Sequence, residues 1–168
     1  MTSKIKIVFV ALLSLAGCAS APDIAPQRFV SPPSSESLST LIIYRENAVP
    51  KKVDARLKID STLKAYLPDN RITWVQIPPG KHQIMVEFPV LVGMRSPEIE
   101  RDFAPGMTYY FRYDGEAPTS GIPIIGQNGI FLGSVGGSGR FRNQLVEVSE
   151  GQGMAASNRL LYVPHNHE

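Results

Sequence analysis

The run Ile72-Thr73-Trp74-Val75-Gln76-Ile77-Pro78-Pro79-Gly80-Lys81-His82-Gln83-Ile84-Met85-Val86-Glu87-Phe88 decides the fold. Side chains on an extended chain point to alternate faces. Thr73, Val75 and Ile77 therefore share one face, and Ile72, Trp74 and Gln76 the other. Past the prolines, His82, Ile84, Val86 and Phe88 alternate with Gln83, Met85 and Glu87. Pro79 presets its own φ and Gly80 supplies the positive φ that a type II turn requires. Two strands joined by a tight turn are the expected structure.

The same pattern extends outward. Val53, Ala55, Leu57 and Ile59 alternate with Asp54, Arg56, Lys58 and Asp60, which predicts a strand with one wet face. Leu41-Ile42-Ile43-Tyr44 is a short apolar run and reads as a strand buried on both faces. Thr62 to Leu67 is a further strand, and Pro68-Asp69-Asn70 turns the chain. Ile99 and Phe103 flank Arg101 on one face of another, with Glu98, Glu100 and Asp102 opposite. Pro105-Gly106 repeats the turn chemistry before a strand from Met107 to Tyr113, and Phe141 to Val148 is the last strand. Short strands, Pro-Gly turns and no long helical period predict an all-β chain, an antiparallel β-sandwich of about 7–9 short strands. Met154 to Tyr162 is expected to form a short helix covering an open end of the sandwich.

The segment Ile72 to His82 with its following strand resembles the strand, Pro-Pro-Gly, x, His, strand unit of the DUF2846 family. Phe103-Ala104-Pro105-Gly106-Met107-Thr108-Tyr109-Tyr110-Phe111 is similar to that family's second glycine turn and paired-tyrosine strand. The likeness covers about Leu41 to Tyr113, with a weaker echo at Leu145 to Ala156, and similar turns occur in PEGA-type modules. The resemblance implies a β-sandwich on a bacterial lipid anchor and carries over no active site. The chain departs from the family pattern after Asp114.

The N-terminus bears on location. Lys4 and Lys6 precede a mostly apolar run from Ile7 to Ala16, which ends at Leu15-Ala16-Gly17-Cys18. A basic start, a short apolar core and small residues at the cut make a secretory signal over 1–17. Cys18 directly after Leu-Ala-Gly looks like a bacterial lipoprotein signal, in which that cysteine is acylated. It is the single cysteine of the chain and has no disulfide partner. The apolar run is about half the ~20 residues of a membrane span. Ala19, not aspartate, follows Cys18, which by the general lipoprotein pattern implies transfer to the outer membrane. The expected membrane contact is the N-terminal lipid. Residues 18–39 hold four prolines and six serines with few large apolar residues, and are expected to be a tether from which Phe29 and Val30 reach the domain. The folded domain is expected over 40–168.

Removing 1–17 takes two lysines away and leaves 15 basic against 15 acidic side chains. A neutral chain without a basic patch gives no reason to expect nucleic acid as a partner.

The stretch 115–139 is expected to be a glycine-rich loop. From 117 to 139 there are 23 residues without a charge, among them Ile122, Ile124, Ile125, Ile130, Phe131, Leu132 and Val135. Gly129, Gly133 and Gly137 have the spacing of a helix-packing seam, but the glycine density costs ~1 kcal/mol per residue in a helix. A loop with a short strand at Ile130 to Leu132 fits better, and Ile124, Ile125, Phe131 and Leu132 are the candidate partner-binding residues.

Catalysis and metal binding find little support. There is no Gly-x-Ser-x-Gly elbow and no phosphate loop. His82 begins a strand and reads as structural. His165 and His167 fall in a tail expected to fray. No catalytic residue, metal ligand or cofactor is expected. Two functions remain: a non-enzymatic module that docks another envelope protein, and a carbohydrate or peptidoglycan binder using Trp74, Tyr109, Tyr110, Tyr113 and the acidic row. The first expects Tyr109 to Tyr113 to be largely buried and the apolar loop to be exposed. The second expects a groove with at least two exposed aromatic rings.

Overall fold

A computed structural model describes residues 27–89, 94–117, 122–125, 131–135 and 142–165, and in 122–125 and 131–135 it describes the backbone. The described elements, in chain order, begin with β1 (Gln27–Arg28), β2 (Ser39–Arg45), β3 (Ala55–Ile59), β4 (Thr62–Leu67), β5 (Arg71–Ile77) and β6 (Gly80–Glu87). There follow β7 (Glu98–Phe103), β8 (Thr108–Glu116), β9 (Ile122–Ile125), β10 (Phe131–Val135), β11 (Arg142–Val148), α1 (Glu150–Arg159) and β12 (Leu161–Tyr162). One sheet runs β1-β12-β5-β2-β8-β11 and a second runs β4-β3-β6-β7; among the described strands β9 and β10 pair only with each other. The β2–β8 and β12–β5 pairs are parallel and the other described pairs antiparallel.

The all-β sandwich expected from the alternating runs is the observed architecture. Its core lies between the two sheets, where Leu41, Ile43, Val75, Ile77, Phe111 and Tyr113 meet Leu57, Ile59, Leu67, Ile84, Val86 and Phe103. The two larger sheets hold ten strands, not seven to nine. The additional pair is β1 and β12, two residues each, in segments where too little chain pairs to show an alternation. One register row crosses the larger sheet, with Arg28, Leu161, Arg71, Arg45, Tyr113 and Leu145 as successive partners.

The turns follow their residues. Gly80 has φ 124° and Gly106 φ 73°, both in the region that glycine adopts without strain. Asp60 and Ser61, at φ 49° and 68°, form the two-residue link between β3 and β4, the geometry that suits the twist of a hairpin.

Every residue of β2 is buried, because a second apolar layer lies outside its sheet. There Ile42, Tyr44, Ile72 and Tyr110 pack against Ala156 and Leu160 of the α1 region. The helix thus covers the outer face of the larger sheet, not an open end of the sandwich, and it starts at Glu150, ahead of the expected Met154. The reason is a capping box: Ser149 accepts from the Gln152 backbone while the Gln152 side chain accepts from the Ser149 N–H.

Of the stretch 18–39, expected to be a tether, the described part, from Gln27 on, lies on the domain. Gln27 and Arg28 pair with β12, the Trp74 indole donates to the Val30 carbonyl at 2.8 Å, and the Gln76 amide donates to the Pro33 carbonyl at 2.8 Å. These contacts are made by backbone carbonyls, which hydropathy does not register.

Candidate functional site

The β8 strand carries most of the aromatic candidates, and its alternation distributes them. Phe111 and Tyr113 enter the inter-sheet core, while Tyr110 lies under α1. Tyr113 is fully buried, its hydroxyl donating to the Val49 carbonyl at 3.0 Å. Burial pushes that phenol up to about 12. Tyr109 is half-buried, edge-on to Phe103 at 4.8 Å and beneath the Arg101 guanidinium at 5.1 Å, and its hydroxyl accepts from the Ala104 N–H. Trp74 stacks on Tyr162 at 6.3 Å and lies 4.5 Å from the His165 ring, and Phe29 is edge-on to Tyr162 at 6.0 Å. The candidate sugar-stacking rings therefore pack on protein. His165 is part of this cluster and not of a frayed end, since Trp74 and Tyr162 give the tail a surface to lie on; His167 falls outside the described residues.

The acidic row is solvated strand face. Glu98, Glu100 and Asp102 are exposed; Glu98 accepts from the Gln83 amide and Glu100 pairs with Lys81. His82 closes the β3–β4 turn. Its Nδ1 lies 2.5 Å from Asp60 Oδ2 and its Nε2 3.0 Å from the Pro78 carbonyl, while Asp60 Oδ1 accepts from the Gln83 N–H. The His82 bond, then the Gln83 bond, hold the Asp60 carboxyl below its ordinary value. Among the described residues no group of three or more His, Cys, Asp or Glu converges on a point.

Sequence reasoning missed Arg45. It ends an apolar strand, where a charge reads as solvent-exposed, yet it is fully buried. Its guanidinium donates to the carbonyls of Val53, Ala48, Pro50 and Leu67 and lies over the rings of Phe88 and Tyr113. Burial lowers its pKa, against an opposing pull from Asp69. The cation binds the 48–53 segment to the core. Three of the carbonyls, Ala48, Pro50 and Val53, lie three to eight residues along the chain and the fourth, Leu67, twenty-two, and an irregular loop folding back on a charge has no periodic signal.

Ile124, Ile125, Phe131 and Leu132 lie in two strands, not in a loop. Phe131 is opposite Ile125, Gly133 opposite Ile124 and Val135 opposite Ile122, with a bulge between Phe131 and Gly133. The expected short strand at Ile130 to Leu132 is the start of the longer β10. Isoleucine, phenylalanine and valine favour extended chain, which also displaces the helical alternative for Gly133. In sequence the hairpin follows the β8–β11 ladder, whose last described pair is Glu116 opposite Arg142. Five residues on one side and six on the other separate the two ladders. Cys18 lies outside the described residues, and no helix among those described is long and apolar enough to cross a membrane.

No protein-family model, curated protein or solved structure matches this chain.

Proposed function

We propose that the protein is an outer-membrane lipoprotein, acylated at Cys18, whose β-sandwich is a non-enzymatic interaction module of the cell envelope. Kinship with the DUF2846 family, on the two Pro-Gly turns and the paired tyrosines, belongs to the same proposal. The observation that carries it is the disposition of the aromatic residues: Tyr110, Phe111 and Tyr113 are buried and Trp74 is packed among rings. A carbohydrate binder would keep such rings free to stack. The Leu15-Ala16-Gly17-Cys18 signal supports the anchor. Surfaces open to contact among the described strands include the outer strands β4 and β7 of the smaller sheet, β1 and β11 of the larger, and the β9–β10 hairpin. An edge strand offers unpaired backbone groups to a partner.

The test is photo-crosslinking in cells with a probe placed in turn at Tyr66 on β4, Glu100 on β7 and Ile124 on β9. A discrete adduct with one envelope protein from a sheet edge is expected. Adducts from none of the three positions would refute the interaction reading.

A further inference from the structure

We infer that the outer face of β5 is a seat for an extended, proline-containing peptide, filled here by the chain's own residues 27–34 as a releasable strap and taken by such a segment of a partner protein when the strap lifts. The inference concerns the folded domain and does not depend on the Cys18 lipid.

The strap has the chemistry of a polyproline ligand. Residues 29–35 belong to no strand or helix. Pro32 and Pro33 fix their own φ and keep Ser31 and Pro32 out of the helical region, which presets the run toward polyproline II. That conformation repeats every three residues, so carbonyls three apart lie on one side. Val30 and Pro33 are such a pair, and theirs are the carbonyls that the Trp74 indole and the Gln76 amide meet. Trp74 and Gln76 are alternate residues of β5 and share its outer face. Phe29 is edge-on to Tyr162, which stacks on Trp74. Aromatic rings with donors aimed at main-chain carbonyls are how polyproline ligands are held. Both donors read backbone, so another chain of the same conformation satisfies them.

The strap is lightly held. Its ladder with β12 is two residues long. Gln27, Arg28, Ser31, Pro33 and Ser34 are exposed, and Val30 is 55% exposed. Ser34 to Ser37 link it to the Leu38 carbonyl, which is fixed by the Gly106 N–H. Beneath, Ile42, Tyr44, Ile72 and Tyr110 pack with Ala156 and Leu160, so lifting the strap uncovers Trp74 and Tyr162 without opening that layer.

The strap also underfills its seat, which decides the occupant. An open pocket of about 510 Å³ separates Arg28, Phe29 and Ser31 from residues 157–161. A partner segment with a larger side chain in place of Ser31 gains contacts that the strap forgoes. A second copy of this chain brings the same small serine and gains none.

Trp74 is the single tryptophan of the chain, so its emission reports the seat directly. The experiment uses the full chain in detergent, as wild type and with 28–33 replaced by an equally long Gly-Ser run. Phe29→Ser is the milder second variant, and circular dichroism checks folding. A synthetic peptide of residues 27–35 is the probe. Red-shifted, quencher-accessible emission is expected in the variants, and the peptide should reverse it saturably. Wild type should bind the peptide at least tenfold more weakly, because its tethered strap competes at an effective concentration on the order of millimolar. Replacing both peptide prolines by alanine should weaken binding several-fold, and Ser31→Tyr in the peptide should tighten it. An N-acetylglucosamine oligomer should leave the emission unchanged. Identical emission from wild type and both variants would show that the strap does not sit on Trp74 and would overturn the inference. So would a folded variant that ignores the peptide or answers only to the sugar, or equal peptide affinity in wild type and variant. A strap-exchanged dimer of the wild-type chain would give the seat to a second copy and overturn the partner assignment.

Discussion

Gly153 of α1 sits directly on the ring of Tyr110. A Cβ at 153 would fall within 2.7 Å of Tyr110 Cε1 and closer still to two other ring carbons. This contact sets how closely the helix approaches β8, and it closes the outer layer over Ile42 and Tyr44. Gly151, two residues earlier, faces open space. Adding the same methyl group should therefore have opposite effects. Gly153→Ala is expected to destabilise the domain by about 1–2 kcal/mol, overpacking outweighing the gain in helix propensity. Gly151→Ala should stabilise by up to about 1 kcal/mol. Denaturant unfolding of the two variants measures both. Equal shifts would mean that α1 does not dock through Gly153.

Arg45 and Tyr113 anchor the 48–53 segment together. Arg45→Met leaves four carbonyls without their donor and should cost about 3 kcal/mol or more. Tyr113→Phe removes one hydroxyl bond to Val49 and should cost about 1 kcal/mol. The Tyr113 phenol also makes a signal of its own. Its folded value is raised to about 12 from 10.0, so the folded state holds the proton more tightly. Stability is fully present below the unfolded tyrosine value and is lost as pH rises through about 12. Ultraviolet titration should find a late tyrosine step that Tyr113→Phe removes.

Asp60 works in the opposite direction. Its folded value is depressed by the His82 and Gln83 hydrogen bonds. Its contribution is present above the unfolded carboxylate range and is lost as pH falls through the depressed value. The side chain is half exposed, so the effect is modest. Asp60→Asn keeps a residue that tolerates positive φ. Melting temperature in acid should therefore fall less steeply for the variant than for wild type. Parallel acid limbs would show that the Asp60–His82 contact does not form in solution.

Much of this architecture was legible in the alternation of Arg71 to Ile77, the doubly buried run at Leu41 to Tyr44 and the glycines at 80 and 106. These signals are local, because strand period and turn chemistry are written within a few residues. What escaped is carried by contacts between distant segments. Arg45 is buried between the rings of Phe88 and Tyr113, far along the chain, with the 48–53 loop folded back on it. Gln27 to Leu38 joins the domain through the β1–β12 pairing, two side-chain bonds from β5 and the Gly106 N–H on the Leu38 carbonyl. The helix start was readable from Ser149 and Gln152, but Gly151 and Gly153 weaken the helical pattern there. For the candidate site, the four residues of the glycine-rich insert were legible as a group, and their pairing as strands was not.

The β9–β10 hairpin pairs with no other described strand. Replacing 119–138 with a short Gly-Ser connector should shift stability by less than about 1 kcal/mol, since loop closure depends weakly on length. Unfolding of that variant would place the hairpin's isoleucines in the core and remove the proposed contact element.

The central claim is a domain anchored by its N-terminal cysteine, and mass spectrometry of the mature N-terminal peptide tests it most directly. The account predicts a first residue of Cys18 carrying a thioether-linked diacylglycerol. A mature chain that begins at Ala19 or later, or that retains 1–17 with a free Cys18 thiol, would contradict it.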